Sequence, residues 1–293
     1  MNNDRLLYRR GILQLVASGV FLSTAGIALR LVEQADGWQI LFYRSFALSV
    51  TILLILVFQK RSRFFDEFRG LDWNDCLLAV FLGTGFVAYV FALLYNTVAN
   101  ALFIFSCAPF LAGFLGWILL GERVATRTWF AIGVAMAGLA VMVGSELAVS
   151  HYLGTLLALW IPIAYAASII AVRSSKRDNM LVALCLAGLV AGGLSAIFVT
   201  DFALTSRDLI ISLYLGVFQV GVGFTLVVLG SRYVPAAQVG LLALVEPVLA
   251  PVWAWMGVGE VPGLATIVGG TIIFLAIGTD GILNIKSSES HSS

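Results

Sequence analysis

Two charged residues, Glu246 and Arg44, lie inside long apolar segments and are the side chains best suited to carry chemistry. Glu246 lies about 11 residues into an apolar segment of about 23 residues, where an ionised carboxylate is costly unless it is paired, hydrated or protonated. It is therefore a candidate for binding and releasing a proton, or for contacting an amine of a ligand. The alternative is a structural carboxylic acid that accepts backbone donors beside the kink expected at Pro247.

Arg44 lies about six residues inside the end of its apolar segment, and its guanidinium group stays charged at that depth. It therefore needs a partner. The sequence offers Glu246, a ligand carboxylate, or carbonyl groups freed by a neighbouring kink. A structural salt bridge or a tether between helices is the alternative role.

A second set of polar and aromatic residues is predicted to line a cavity that binds a small organic solute. A polar side chain in an apolar segment should face protein or water, and Tyr or Trp can contact a solute through both its ring and its polar tip. The members of this set are Tyr89, Asn100, Trp160, Tyr165, Gln219 and Gln238. For each of them, packing or an interfacial position is the alternative.

Several classes of enzyme and pump are excluded by residues that the sequence lacks. The only histidines are His151 and His291, so no histidine-based metal site or catalytic triad is expected. There is no Walker A sequence, so ATP hydrolysis would need another subunit. Three cysteines without CxxC spacing are predicted to be packing residues. The sequence therefore predicts no catalytic residue, no metal and no cofactor.

The composition identifies the elements that must position these residues as membrane helices. Of the 293 residues, 60% are hydrophobic and only 11% are charged, and the mean hydropathy is +1.00, which is typical of a polytopic membrane protein. The net charge of +1 gives no reason to expect nucleic acid as a partner. The first apolar segment lacks an A-x-A cleavage site and is predicted to be a retained span.

A membrane helix needs about 20 apolar residues, and that length predicts ten spans. The apolar run of residues 76–120 is about 45 residues long and must fold back, with Asn96 and Thr97 as its only polar turn. The fold class is therefore all-α. The predicted spans are residues 11–31, 39–59, 76–95, 97–120, 127–145, 153–172, 180–200, 208–230, 235–258 and 262–283.

Basic residues predict the orientation, because Lys and Arg are retained on the cytoplasmic side. With both termini inside, 14 of the basic residues are cytoplasmic, while Arg30 and Arg207 face outward and Arg44 lies within a span. The tail, residues 284–293, is predicted to be a disordered cytoplasmic segment.

An internal repeat relates the two halves of the chain. Residues 77–122 align without a gap to residues 215–260, and 13 of the 46 aligned positions are identical. Five spans per repeat, residues 11–145 and 153–283, insert the second copy from the opposite side of the membrane. Such an inverted repeat is typical of transport by alternating access. The repeat pairs Glu246 with Ala108 and Arg44 with Val182, so the duplicated fold does not itself require either charge.

Two proline positions and two Gly-Glu pairs are matched by the repeat. Pro109 and Pro247 should each free the carbonyl four residues earlier and kink their helices; the kinks would act as gating points, or as static bends needed for packing. Gly121-Glu122 and Gly259-Glu260 are predicted to end helices, with Gly as the C-terminal stop and Glu favourable at the start of the next helix.

One pattern occurs twice, at residues 99–122 and 237–260: Ala-x9-Pro-x7-Trp-x3-Gly-Glu. Together with Phe42-Tyr43-Arg44 and Glu246-Pro247, this paired pattern resembles the EamA-type branch of the drug/metabolite transporter superfamily. The resemblance covers residues 11–283. It implies a ten-helix carrier of the bacterial inner membrane, usually an exporter of amino acids, related metabolites or toxic compounds, with a cavity lined by spans 1, 3, 4, 6, 8 and 9. The residues themselves suggest export in exchange for an inward proton at Glu246; facilitated diffusion, which needs no titrating group, is the alternative. A lipid flippase, a multidrug exporter or a channel is the alternative, and the oligomeric state stays open.

Overall fold

The computed structural model describes residues 2–60, 64–95, 98–144, 152–177, 180–259 and 261–290. All regular structure in this part of the chain is helical, which confirms the all-α prediction. The helices are α1 Asn2–Leu22, α2 Ala25–Arg30, α3 Gly37–Lys60, α4 Phe64–Arg69, α5 Trp73–Tyr95, α6 Val98–Phe105, α7 Ala108–Leu120, α8 Thr126–Val143, α9 Tyr152–Ser174, α10 Leu181–Phe198, α11 Ser206–Tyr214, the π-helix Leu215–Val222, α12 Gly223–Gly230, α13 Ala236–Ala243, α14 Val245–Val258 and α15 Leu264–Ser290.

Ten continuous or broken helices in the described ranges are long and apolar enough to cross a membrane, as predicted. The chain is therefore a multi-pass membrane protein. Spans 1, 4, 8 and 9 each contain more than one helical element, and α4 lies between spans 2 and 3. The ten spans, numbered in order, are Arg5–Arg30, Gly37–Gln59, Trp73–Tyr95, Asn100–Leu120, Thr126–Val143, Tyr152–Ser174, Leu181–Phe198, Ser206–Gly230, Ala236–Gly257 and Leu264–Leu283.

The apolar run of residues 76–120 is divided into separate helices, as its length predicted. Helix α5 ends at Tyr95 and α6 begins at Val98. The predicted turn residues, Asn96 and Thr97, lie outside the described residues.

Spans 4 and 9 are interrupted at positions that the repeat makes equivalent. Helix α6 ends at Phe105 and α13 ends at Ala243, and these two residues are aligned in the repeat. The backbone N–H of Ser106 donates to Phe103 at 3.1 Å, and the aligned N–H of Leu244 donates to Leu241 at 3.2 Å. Each break is thus a single tightened turn that directly precedes α7 or α14, as expected from the lost hydrogen bonds at Pro109 and Pro247.

The most extensive contacts between spans correspond to one another when the two halves are exchanged. Span 3 packs on span 6, and its counterpart, span 8, packs on span 1. Spans 2 and 7, 4 and 9, and 5 and 10 each pack on their own counterparts. Glycines lie at these contacts, where an added Cβ atom would meet the neighbouring helix. The helices therefore approach closely, as membrane helices do when apolar burial cannot drive their association.

One end of the bundle is fastened across the two halves by Glu122. Its carboxylate accepts a hydrogen bond from the backbone N–H of Ala236 at 2.9 Å and forms an ion pair with Arg173. Glu122 was expected to stabilise the start of the next helix in sequence; it instead stabilises the start of α13 in the other half. Gly121 and Gly259 end their helices in the left-handed conformation, with φ of 66° and 74°, as predicted. Glu260 lies outside the described residues.

The C-terminal helix corrects one boundary. Residues 284–290, which were predicted to belong to a disordered tail, continue α15 to Ser290. The segment from Leu264 to Ser290 contains no proline, so every residue in it has a backbone N–H that can continue the helix. Residues 291–293 lie outside the described range.

Candidate functional site

A central cavity of about 40 Å³ lies among seven spans. Spans 1, 4 and 9 are interrupted beside it, because Leu22, Phe105 and Ala243 line the cavity and each is the last residue of a helical element. The resemblance implied spans 1, 3, 4, 6, 8 and 9, and the structure adds span 2 through Arg44. The lining residues are Leu22, Arg44, Leu82, Gly85, Phe86, Tyr89, Phe105, Ile161, Ala164, Tyr165, Gln219, Phe224, Ala243 and Glu246.

Glu246 lies in the first turn of α14, directly after the break in span 9. The freed N–H groups at the start of a helix favour a negative charge there. Its side chain is buried, with 7% of the residue exposed, and its Oε1 accepts a hydrogen bond from the Tyr89 hydroxyl at 2.9 Å. The break in span 9 therefore places a carboxylate at the cavity wall, where a phenol in the other half of the chain stabilises it.

Arg44 reaches the cavity from span 2 and is also buried, with 4% of the residue exposed. Its Nη2 donates to Gln219 Oε1 at 3.3 Å, and its Cζ lies 5.5 Å from the ring centre of Phe86 and 5.9 Å from that of Tyr89. Among the described residues, its Nε has no hydrogen-bond partner. The direct salt bridge to Glu246 that the sequence offered is not formed, and Arg44 instead tethers span 2 to span 8.

Aromatic rings from both halves form the apolar wall of the cavity. Phe86 and Phe224 meet edge to face with ring centres 5.0 Å apart. Tyr165 contacts Phe105 at 5.6 Å and Phe224 at 6.4 Å. Edge-to-face pairs of this kind are favourable, because the positive ring edge meets the negative ring face. The wall can therefore contact an apolar or aromatic part of an organic solute.

Gln219 is carried by the π-helical part of span 8, Leu215–Val222. Its Nε2 donates to the backbone carbonyl of Leu22 at 3.4 Å, where span 1 is interrupted. Gly216 in the same segment permits close packing on span 2, because a Cβ atom there would overlap the Arg44 carbonyl oxygen. This segment thus joins spans 1, 2 and 8 at the cavity.

The structure brings five of the predicted residues together at the cavity: Arg44, Tyr89, Tyr165, Gln219 and Glu246. The other three predicted lining residues lie elsewhere, as follows. Asn100 is buried in α6. Trp160 donates to Thr84 Oγ1 at 3.1 Å and stacks on Phe81. Gln238 accepts from the Tyr8 hydroxyl at 2.9 Å and donates to Asp280 at 3.0 Å.

The sequence reasoning missed two kinds of residue. Phe86 and Phe224 are identical partners in the repeat, and that identity was the signal available for them. Asp280 is a carboxylate within the last predicted span; it is 4% exposed and accepts a hydrogen bond from Thr128 Oγ1 at 2.7 Å. A charge inside an apolar run was the signal for it. The remaining lining residues, such as Leu22 and Ala164, gave no signal, because apolar residues in membrane spans are ordinary.

The side chains at the cavity can bind an organic solute through charge and ring contacts. A guanidinium group, a carboxylate and a phenol provide the polar contacts, and the aromatic wall provides the apolar ones. In the part of the chain that the structure describes, no group of three or more His, Cys, Asp or Glu side chains could hold a metal ion.

Comparison with known proteins gives consistent matches over nearly the whole chain. The model of the EamA-like transporter family matches residues 9–144 and 152–279. An uncharacterized transporter of Archaeoglobus fulgidus is 26% identical over 271 residues, which cover 92% of this chain and 95% of that protein. A crystal structure of a protein that is 18% identical superposes with a TM-score of 0.79, covering 93% of this chain and 98% of that one. The last match shows the similarity of the fold alone.

Proposed function

This chain belongs to the EamA-like transporter family, and we propose that it exports small organic metabolites, such as amino acids, across the bacterial inner membrane. One observation carries the proposal: the central cavity collects a cation, a carboxylate and aromatic rings from both halves of the chain. An amino acid offers a group complementary to each of them, because it has a carboxylate, an ammonium group and an apolar side chain.

The size of the cavity supports a mechanism with a conformational change. A water molecule needs roughly 10–15 Å³ of such space, so a cavity of about 40 Å³ holds only a few water molecules. An amino acid is larger than that. Entry of a solute would therefore need the spans around the cavity to separate, which is consistent with alternating access.

The symmetry of the contacts supports inverted halves as the source of that movement. The main packing contacts of a span correspond to those of its counterpart in the other half, and the breaks of spans 4 and 9 fall at equivalent positions. Two halves related by a two-fold axis in the membrane plane would produce this pattern, and the distribution of Lys and Arg favours the same arrangement. In this proposal both termini are cytoplasmic, and the halves rock about the cavity.

Polar contacts at two places are the proposed gates. On the predicted cytoplasmic side, Glu122 connects Arg173 to the start of α13. On the predicted outer side, Asp208 accepts the backbone N–H groups of Glu33, Gln34 and Ala35 at 2.9–3.0 Å. We expect each set to loosen when the cavity opens towards its own side of the membrane.

Glu246 is the proposed site of proton exchange. A carboxylate that is buried in a membrane span favours protonation unless it is stabilised, and its bond from the Tyr89 hydroxyl connects it to span 3. A proton bound at Glu246 would therefore change a contact between the two halves of the chain. Inward movement of the proton would accompany outward movement of the solute.

Metabolite profiling tests the proposed export. Cells with and without the expressed protein are compared for metabolites that increase in the medium and decrease inside, and each enriched compound is then tested for flux in proteoliposomes. The control is a variant with a filled cavity, Ala243→Phe. Ala243 lines the cavity, and the repeat aligns it with Phe105, so phenylalanine already occurs at the equivalent position of the first half. The variant should be abundant in the membrane and export poorly. The absence of any compound that depends on the unmodified protein would contradict the proposal.

A further inference from the structure

The two halves differ at one segment of equal length and aligned sequence. Residues 77–84 align without a gap to residues 215–222; the first lie within the α-helix α5, whereas the second form a π-helix. A π-helix is rare and is found most often at functional sites. No insertion explains it here, so contacts that are specific to the second half must stabilise it.

Those contacts converge on Arg44. Glycine at position 216 lets the π-helical backbone pack directly on span 2, because any side chain there would overlap Arg44 or Ala47. One turn later, the amide of Gln219 lies between Arg44 Nη2, at 3.3 Å, and the Leu22 carbonyl, at 3.4 Å. The residue aligned with Gln219 in the first half is Phe81, whose ring stacks on Trp160. The amide contact is therefore a property of the second half alone.

The guanidinium group that Gln219 contacts still has binding capacity. Arg44 is almost completely buried, and the rings of Phe86 and Tyr89 and the amide oxygen of Gln219 surround its guanidinium group. Its Nε has no partner among the described residues, although a buried charged donor without an acceptor is unfavourable. A carboxylate binds a guanidinium group through two parallel hydrogen bonds and would fill this position.

We infer that Arg44 recognises the carboxylate of the transported solute, and that Gln219, presented by the π-helical segment, is the positioning residue that holds the guanidinium group at the cavity. The inference rests on the proposed function, since it concerns the solute of the same cavity. It identifies the solute as a carboxylate, zwitterionic or anionic, and not as a simple amine.

Two sets of matched compounds test this recognition with the purified protein in nanodiscs. Each set contains an amino acid, the amine that remains without the carboxylate, and the acid that remains without the amino group: phenylalanine, phenethylamine and 3-phenylpropionate; leucine, isoamylamine and 4-methylpentanoate. Affinity is measured from the ligand-induced shift in thermal unfolding. For at least one set, we expect the amino acid and the acid to bind at least about tenfold more tightly than the amine, because a hydrogen bond to a charged group is lost with the carboxylate.

Three variants then separate positioning from folding. Arg44→Gln and Gln219→Leu should each reduce the ratio of acid to amine affinity by about tenfold. Gln219→Glu keeps nearly the same side-chain shape, but its carboxylate should pair with the Arg44 guanidinium group and compete with the acids for it. Arg207→Gln, at an exposed arginine, is the control and should keep the ratio of the unmodified protein. A purely structural Gln219 would lower the unfolding temperature of its variants and leave this ratio unchanged.

Three outcomes overturn the inference: the amines bind as tightly as the acids, no acid binds at millimolar concentration, or Gln219→Leu and Gln219→Glu both keep the acid preference. Transport is measured separately with the same compounds in proteoliposomes. Carboxylate-dependent binding without flux would contradict the proposed transport function and leave the recognition by Arg44 supported.

Discussion

Phe86 and Phe224 are 138 positions apart in the sequence, yet their rings meet edge to face with centres 5.0 Å apart. The internal repeat aligns these two residues with each other. The contact therefore joins the two halves of the chain, and both rings line the cavity.

The Phe86–Phe224 contact should contribute measurable coupling energy. We expect Phe86→Leu and Phe224→Leu to destabilise the protein by less together than the sum of their separate effects, with a coupling of about 0.5–1.5 kcal/mol. Thermal or denaturant unfolding in a defined detergent measures each arm of this double-mutant cycle. Phe46→Leu, on the exposed surface of span 2, is the matched control and should be additive with both. Strict additivity of the two cavity variants would show that the rings are not coupled.

Glu246→Gln should remove the response of transport to a pH gradient. One proton exchanged for each solute gives about tenfold accumulation for each pH unit, since one unit corresponds to about 1.4 kcal/mol. In proteoliposomes, we expect a gradient to drive accumulation by the unmodified protein and by Asp66→Asn, whose side chain is exposed on α4 and far in sequence from both proposed gates. The Glu246→Gln variant should only equilibrate the solute. If its gradient-driven accumulation is the same as that of the unmodified protein, the proton is exchanged elsewhere.

Restoring the backbone donors at the two breaks should slow the movement of the halves. Pro109→Ala and Pro247→Ala each return an N–H group and allow the hydrogen bonds of spans 4 and 9 to continue. We expect the maximal transport rate to fall several-fold while the affinity for solute changes little. Pro262→Ala, outside both breaks, is the control. Equal rates for all three variants would identify the breaks as static bends.

Breaking the contact between Glu122 and Arg173 should destabilise the protein. Both side chains are 17% exposed, and a hydrogen bond to a charged group contributes about 1.5–3 kcal/mol. We expect Glu122→Gln and Arg173→Gln each to lower the unfolding temperature, and the double variant to be less destabilised than the sum, because it leaves no isolated charge. The changes would be followed by tryptophan fluorescence. No loss of stability in either single variant would contradict a fastening role.

The proposed orientation predicts which residues a membrane-impermeant thiol reagent can reach. In a variant without Cys76, Cys107 and Cys185, Arg207→Cys should be labelled in intact cells. Arg232→Cys should be labelled only after the cells are opened, because the distribution of basic residues predicts that this loop is inside. Both residues are in loops or at helix ends of the described structure. The reverse pattern would invert the assigned topology.

Much of the fold could be predicted from the sequence because a membrane restricts a chain to a small number of solutions. Apolar length alone predicted ten spans, and the aligned prolines predicted the breaks in spans 4 and 9. The helical continuation to Ser290 was not predicted, since a polar composition does not determine whether a terminal segment stays helical. The membership of Arg44 and Glu246 in one cavity was a reasonable hypothesis, because buried charges need partners.

What the sequence determined by itself was local or averaged over many residues: the all-α class, the number of spans, the repeat and the presence of two charges in apolar segments. Only the tertiary structure decided which side chains share the cavity. It placed Gln219 beside Arg44 and Gln238 beside Asp280, although both glutamines look alike in the sequence. The reason is physical, because the direction of a side chain depends on the rotation of its helix. In span 8, a π-helix alters that rotation where the aligned segment of span 3 stays α-helical.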